Sequence, residues 1–207
     1  MITTPQRLVD AAAQGFADHG IQAASLVEIT RQAGQRNRGA VHYHFGGRMG
    51  LLVAVLELHA EFLGRREREL LEVARGRPAD DLASVVEAIV RPSVELAEQG
   101  VSGGNYLVIV AEVIEMGPAS YGPDVEAALA RTGGYEVYAL LHERLPAMDD
   151  ELRAERTALM TAFVLDSIAG RVRAVAGSAA AERQLPTERF IANLVAMATA
   201  MLQAPVV

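Results

Sequence analysis

The stretch SLVEITRQAGQRNRGAVHYHF, Ser25 to Phe45, holds two short apolar periods separated by a glycine. Ser25 stands three residues before Glu28, the spacing of a capping box, in which each side chain satisfies a backbone N–H at a helix start. Leu26, Ile29 and Ala33 share one helical face, and Gly34 is a natural stop. A third helix is predicted from Asn37 to Phe45, with Val41 and Phe45 facing inward. Two short helices joined by a glycine-containing turn form a helix-turn-helix, whose second helix can enter a DNA major groove.

The charge on this stretch is unlike that of its surroundings. The chain carries 26 acids against 19 basic residues, all arginine, for a formal charge of −7. From Gln35 to Arg48, however, Arg36, Arg38 and Arg48 stand with two histidines and a tyrosine and no acid. Residues 1–50 have five arginines and three acids, a net +2, which leaves −9 on the remainder. That asymmetry predicts a small basic module for an anionic partner joined to a larger acidic body.

Working outward, the first helix is predicted over residues 4–18, with Pro5 at its start, Leu8, Ala12 and Phe16 on one stripe, and Gly20 at its end. A long fourth helix is predicted from Gly47 to about Ala74, with Leu51, Leu52, Val55, Leu58, Phe62 and Leu70 inward. Further helices are predicted at 80–99, 104–116, 123–145, 150–176 and 187–203, punctuated by glycine and proline. Hydrophobic residues make up 51% and aromatics 5%, with alanine, leucine and valine dominant, a composition suited to helix-on-helix packing. The absence of cysteine excludes disulfides, thiolate zinc sites and thiol catalysis. No basic-then-apolar signal opens the chain and no apolar run reaches a membrane-spanning length, so the expectation is a soluble, cytoplasmic protein with no membrane partner.

Residues 4–58 resemble the DNA-binding domain of TetR-family transcriptional regulators. The run AAAQGFADHGIQAASLVEITRQAGQRNRGAVHYHFGGRMGLLVAVLE, Ala11 to Glu57, has the F-x-x-x-G close of the first helix, the capped second helix and the Y-H-F end of the third. The family's F-x-[SN]-K-E-x-L stands here as Phe45-Gly46-Gly47-Arg48-Met49-Gly50-Leu51. Three departures are visible. The turn before the third helix is one residue longer, His42 occupies the usual tyrosine position with Tyr43 one later, and Arg48 replaces a lysine. The resemblance implies an all-α protein: a helix-turn-helix three-helix domain (1–47), then a helical effector-binding and dimerisation domain (48–207).

On this reading the DNA-contacting residues are Ser25, Arg36, Asn37, Arg38, Gly39, His42, Tyr43, His44 and Arg48. Arg38 can pair bidentately with guanine, Asn37 can bond adenine or cap the helix, and Gly39 permits close approach. Tyr43, His44, Arg48 and the helix start at Ser25 suit phosphates. Ser25 as a plain cap, and the arginines as solvated surface charge, are the alternatives. The histidines do not suggest a metal: two residues apart on a helix, His42 and His44 face different ways. No cofactor is expected.

The resemblance further implies a homodimer on an inverted-repeat operator in double-stranded DNA, joined through helices near 150–176 and 187–203. Leu159, Phe163 and Ile168 on one, and Phe190, Leu194, Met197 and Met201 on the other, are the apolar candidates. A small-molecule effector is expected among the middle helices. Phe62, Tyr106, Met116, Tyr121, Tyr138, His142 and Phe163 are its candidate contacts, with an apolar or aromatic ligand favoured over an anionic one. Ligand binding would move the fourth helix and release DNA. The rival is an all-α ligand-binding protein or enzyme with a vestigial helix-turn-helix, but no catalytic constellation is present, and a non-enzyme is expected.

Overall fold

The computed structural model describes residues 3–131, 134–176 and 184–206. Every regular element among them is helical. In chain order these are α1 (Thr4–His19), α2 (Leu26–Gln32), α3 (Ala40–Phe45), α4 (Arg48–Glu57), α5 (Ala60–Arg75), α6 (Leu82–Glu98) and α7 (Val101–Met116). A short 3-10 turn (Pro118–Tyr121) follows, then α8 (Pro123–Ala130), α9 (Gly134–Arg144), α10 (Asp150–Ala176) and α11 (Thr187–Leu202).

The first three helices form as their local signals dictate. Leu8, Ala12 and Phe16 of α1 are fully buried, and Gly20 leaves the helix with φ at 81°, a conformation that costs glycine little. Ser25 caps α2 by accepting from the Glu28 N–H at 3.3 Å. The reciprocal half of the capping box is not made. Glu28 turns forward to Arg31 and Gln32 instead. The third helix starts later than expected, at Ala40. Residues 37–39 form a turn in which Asn37 Oδ1 accepts from the Gly39 N–H at 2.9 Å.

Two of the expected long helices are broken. The apolar stripe of the fourth runs through Leu58 to Phe62, yet the helix divides at Leu58-His59, where His59 lies at φ −118°, ψ 6°. The cause is tertiary. The His59 ring stands edge-on to the Tyr106 ring at 5.2 Å and hydrogen-bonds Ser102 Oγ at 3.1 Å, both on α7. The helix expected over 123–145 likewise ends at Ala130 and resumes at Gly134; residues 132–133 lie outside the described residues.

Helix α7 runs through the centre, with α1 on one side and α6 and α10 on the others. Its contact with α10 is close: a Cβ on Gly104 would lie 2.8 Å from Val172 Cγ1. The α1–α4 bundle therefore docks on the body through α1 against α7 and α4 against α8, and not merely through the chain connection.

Candidate nucleic-acid interface and internal cavity

The turn from Arg36 to Gly39 and the outer face of α3 form a surface without an acidic side chain. Ser25, Arg36, Asn37, Arg38, Gly39, His42, Tyr43 and His44 are all exposed, Tyr43 to 83%. The opposite face of α3 is anchored by Ala40 and Val41, which are buried. Arg36 and Arg38 thus sit at the N-terminal approach to the helix and not within it. Glu28, the acid closest in sequence, is held by Arg31 through bonds of 2.9 and 2.6 Å, and that pairing keeps its carboxyl below the usual range.

Arg48 differs from the other eight. It is half-buried, and its Nη1 donates to the carbonyls of Ile21 and Ala24 at 2.6 and 2.8 Å. It latches the α1–α2 connection to the start of α4 before it can serve as a phosphate anchor. Both bonds come from the one Nη1, whose two N–H groups divide between the carbonyls. Beside it, Gly50 has no room for a side chain, because a Cβ there would lie 1.9 Å from the Phe45 carbonyl oxygen.

A pocket of about 370 Å³, partly open to solvent past the exposed Tyr135, lies in the body between α5, α6, α7, α9 and α10, with the end of α8 at its edge. Of the expected contacts, Tyr106 and Tyr138 line it. The Tyr138 hydroxyl and Thr161 Oγ1 are 2.8 Å apart. The other five lie elsewhere. Phe62 and Phe163 pack against the core from outside the cavity, and Met116 is 60% exposed. Tyr121 is buried near the 3-10 turn with its hydroxyl bonded to Glu112, and His142 is exposed beside Thr157.

Sequence reasoning missed the one carboxyl in this cavity. Glu67 lines it, and its Oε2 is shut off from solvent with no hydrogen-bond partner among the described residues. Burial pushes its carboxyl up to about 8. The signal was present: residues 63, 67, 71 and 74 recur at helical spacing, so Glu67 occupies the apolar register of Leu63, Leu71 and Ala74. A second cavity, of about 590 Å³, lies between the end of α6, the start of α7 and α10.

Helix α7 carries groups toward both places. Tyr106, Leu107, Val110 and Ile114 line the first cavity. On its other side Asn105 donates to Gln14 Oε1 of α1 at 2.9 Å. The Glu112 carboxylate accepts from the Ile21 N–H, just past α1, at 2.9 and 3.2 Å. Glu112 was also missed, since nothing in the sequence pairs residues 91 positions apart.

The α10–α11 pair presents an unpartnered face. Ile168 and Leu194, expected in a dimer contact, belong to the core of one chain instead. Phe190 packs against that core and Met201 is half-buried. Its exposed positions include Leu159, Asp166 and Gly170 on α10 and Ala192, Ala196, Met197 and Ala200 on α11, with Glu155, Arg173, Glu188, Arg189 and Asn193 also exposed on the same helices. Small side chains on such a face allow close approach of another helix.

Residues 8–55 match the family model for bacterial regulatory proteins of the tetR family, and residues 87–201 match the tetracyclin repressor-like C-terminal domain. The HTH-type transcriptional regulator SrpR of Pseudomonas putida is 47% identical over 53 residues, 26% of this chain and 24% of that protein. AcrR of Shigella flexneri, also an HTH-type transcriptional regulator, is 30% identical over 91 residues, 44% of this chain and 42% of that protein. The chain thus matches less than half the length of these curated relatives. The crystal structure of the TetR-family regulator PfmR from Thermus thermophilus aligns over 100% of both chains with a TM-score of 0.57 at 20% identity. The fatty acid degradation regulator FadR from Bacillus halodurans aligns over 97% of this chain and 98% of its own, with a TM-score of 0.58 at 14% identity. At such identities the likeness is one of fold. With its N-terminal helices matched and its C-terminal model spanning more than half of the 207 residues, the chain belongs to the TetR family of transcriptional regulators.

Proposed function

We propose that the protein is a sequence-specific repressor, released from an inverted-repeat operator by a small, largely apolar ligand. The division of labour is a DNA-binding domain over 1–47 and a ligand-binding and dimerisation domain over 48–207. The observation that carries the reading is that α7 lines the cavity while also holding α1 through Asn105 and Glu112. A ligand that displaces α7 would tilt α1 and the helices packed on it, changing the distance between the two recognition surfaces of a dimer. The lever is thus α7, where the sequence alone pointed to the fourth helix.

In this account Arg38 reads guanine, Arg36 and Asn37 flank it, and Gly39 lets the turn approach the groove. Ser25, His42, Tyr43 and His44 bind the backbone, which sets position and salt dependence. Arg48 mainly holds the domain in shape. The dimer forms through the exposed α10–α11 face, and the protein acts in the cytoplasm, where bacterial DNA lies. Among the described residues no helix is long and apolar enough to cross a membrane.

Selection from a randomised duplex library at near-physiological salt tests the reading. The wild type is expected to enrich an inverted repeat. Arg38→Ala is expected to lose discrimination at one base position of each half-site, by ~1–3 kcal/mol. Enrichment of no sequence by a folded dimer would refute the proposal.

A further inference from the structure

We propose that His59 is a positioning residue for DNA binding. By pinning the break between α4 and α5 to α7, it sets the angle at which the N-terminal helices leave the body, and with it the half-site spacing the protein accepts. The inference rests on the operator reading above for the spacing, though not for the position of the helices themselves.

Nothing along the chain calls for a break there. Glu57-Leu58-His59-Ala60-Glu61 has no proline or glycine, and leucine, alanine and glutamate are strong helix formers. Sharp kinks arise at proline, at glycine or serine pairs, at π-bulges, or where another group disturbs the helical ladder. The first two are missing from this stretch and no π-bulge occurs among the described residues, which leaves a tertiary contact. His59 makes one. It stands four residues after Val55 and four before Leu63, both buried, so its ring falls in the inward register. A polar ring placed there needs a hydrogen-bond partner from a neighbouring helix. Ser102, in the first turn of α7, supplies it at 3.1 Å. Tyr106, one turn further and 1% exposed, gives the ring a fixed wall at 5.2 Å. Burial holds His59 toward its neutral form, which offers one donor and one acceptor.

The break separates two sets of neighbours. Helix α4 lies on α1, α3 and α8, with Glu57 paired to Arg131 at the end of α8. Helix α5 lies on α6 and α9, through Arg66 to Glu95 and Arg75 to Glu136. Both packings belong to the bent path, and a continuous helix would give up one of them. With α5 bound to the body on two sides, α4 is the part that moves. Its far end carries the N-terminal helices along, because Arg48 holds the carbonyls of Ile21 and Ala24. Helix α4 has 10 residues and so a length of about 15 Å. A change of about 20°, the lower limit of a sharp kink, shifts its far end by about 5 Å. DNA rises about 3.4 Å per base pair, so that shift exceeds one base pair of spacing.

Two measurements on the full-length chain test this. The chain has no cysteine, so spin labels at Gln22→Cys and at Glu143→Cys of α9 are the only ones. Dilution with unlabelled protein leaves the distance within one chain. Wild-type His59 should give a single narrow distance. His59→Leu, which completes the apolar register, and Ser102→Ala, an exposed change on the partner helix, should each add a second population displaced by about 5 Å. His59→Gln, whose amide can still reach Ser102, should restore the wild-type distance. Thermal melts report the fold of each variant, and Ser102→Ala carries the test should His59→Leu misfold. The second measurement uses the selected half-site in inverted repeats whose spacer varies by single base pairs. Wild type should prefer one spacer by roughly tenfold, and His59→Leu and Ser102→Ala should shift or flatten that preference while keeping affinity for a single half-site. An unchanged distance in both variants, or an unchanged spacer preference on an enriched operator, overturns the proposal. So does an equal loss of affinity at every spacer, or a His59→Gln that behaves as His59→Leu. A displaced distance in a protein that enriches no inverted repeat upholds the positioning role and refutes the operator reading instead.

Discussion

The recognition surface and the internal cavity are built on opposite terms. The first is exposed, basic and made from one contiguous stretch, Ser25 to Arg48. The second is a partly open, largely apolar pocket that draws residues from Leu63 to Leu165 and holds, among the described residues, one carboxyl oxygen without a partner. A surface that must meet a polyanion can keep its charges solvated until contact and needs only a scaffold to orient them. A cavity that must hold a small molecule instead carries a polar group whose partner is absent, at a cost in stability. The difference teaches where each kind of function leaves its trace: in local composition for the surface, in an unpaired group for the cavity.

Substitutions that sharpen this comparison should differ in size. Gly50→Ala is expected to have the largest effect, because the new methyl would lie 1.9 Å from the Phe45 carbonyl oxygen and force α3 away from α4. A loss of about 3 kcal/mol, seen as a melting temperature lower by roughly 10 °C, would fit a clash between backbone elements. An unchanged melt would show that the α3–α4 corner yields easily. Glu112→Ala comes next. It strands the Ile21 N–H and removes a charge-assisted bond worth ~1.5–3 kcal/mol, so both stability and the coupling of cavity to DNA should fall.

The pH dependence of stability separates the two regions in another way. An unfolded chain's Glu67 loses its proton near the ordinary 4.5, whereas the folded one keeps it to about 8. The folded state therefore binds more protons in that window. Its contribution is fully present below the unfolded value and is lost as pH rises through the folded one. Glu67→Gln, with no proton to lose, should gain in melting temperature over the wild type as pH goes from 5 to 8, by several degrees. A constant difference would mean that Glu67 ionises without penalty. The smallest effect is expected for Arg31→Ala, which breaks a solvent-exposed pair with Glu28 and should leave the melting temperature nearly unchanged.

The parts of the molecule legible in the sequence are those set by neighbours along the chain. Ser25, Gly20 and the α1 stripe lie where caps, glycine and helical spacing put them. The break before His59 was not legible, since Ser102 and Tyr106 of α7 impose it on an unbroken apolar pattern. Glu67 was passed over within the charged run RRERELLEV, residues 65–73, although its register with Leu63 and Leu71 distinguishes it from the solvated charges around it. For dimerisation, the large apolar residues Ile168 and Leu194 drew attention, but large residues are the ones a single chain buries first. The exposed positions left over mix small residues such as Gly170, Ala192, Ala196 and Ala200 with charged ones such as Glu155, Arg173, Glu188 and Arg189.

On the proposed mechanism, α7 connects the cavity to the recognition surface. The most direct test is the affinity of the dimer for its selected operator, with and without a ligand saturating the cavity, in wild type and in Glu112→Ala. The account expects saturation to weaken operator binding by tenfold or more in the wild type, and by much less once Glu112 no longer holds the Ile21 N–H. A ligand demonstrably bound in the cavity that leaves operator affinity unchanged, or an equal loss in both proteins, would contradict it.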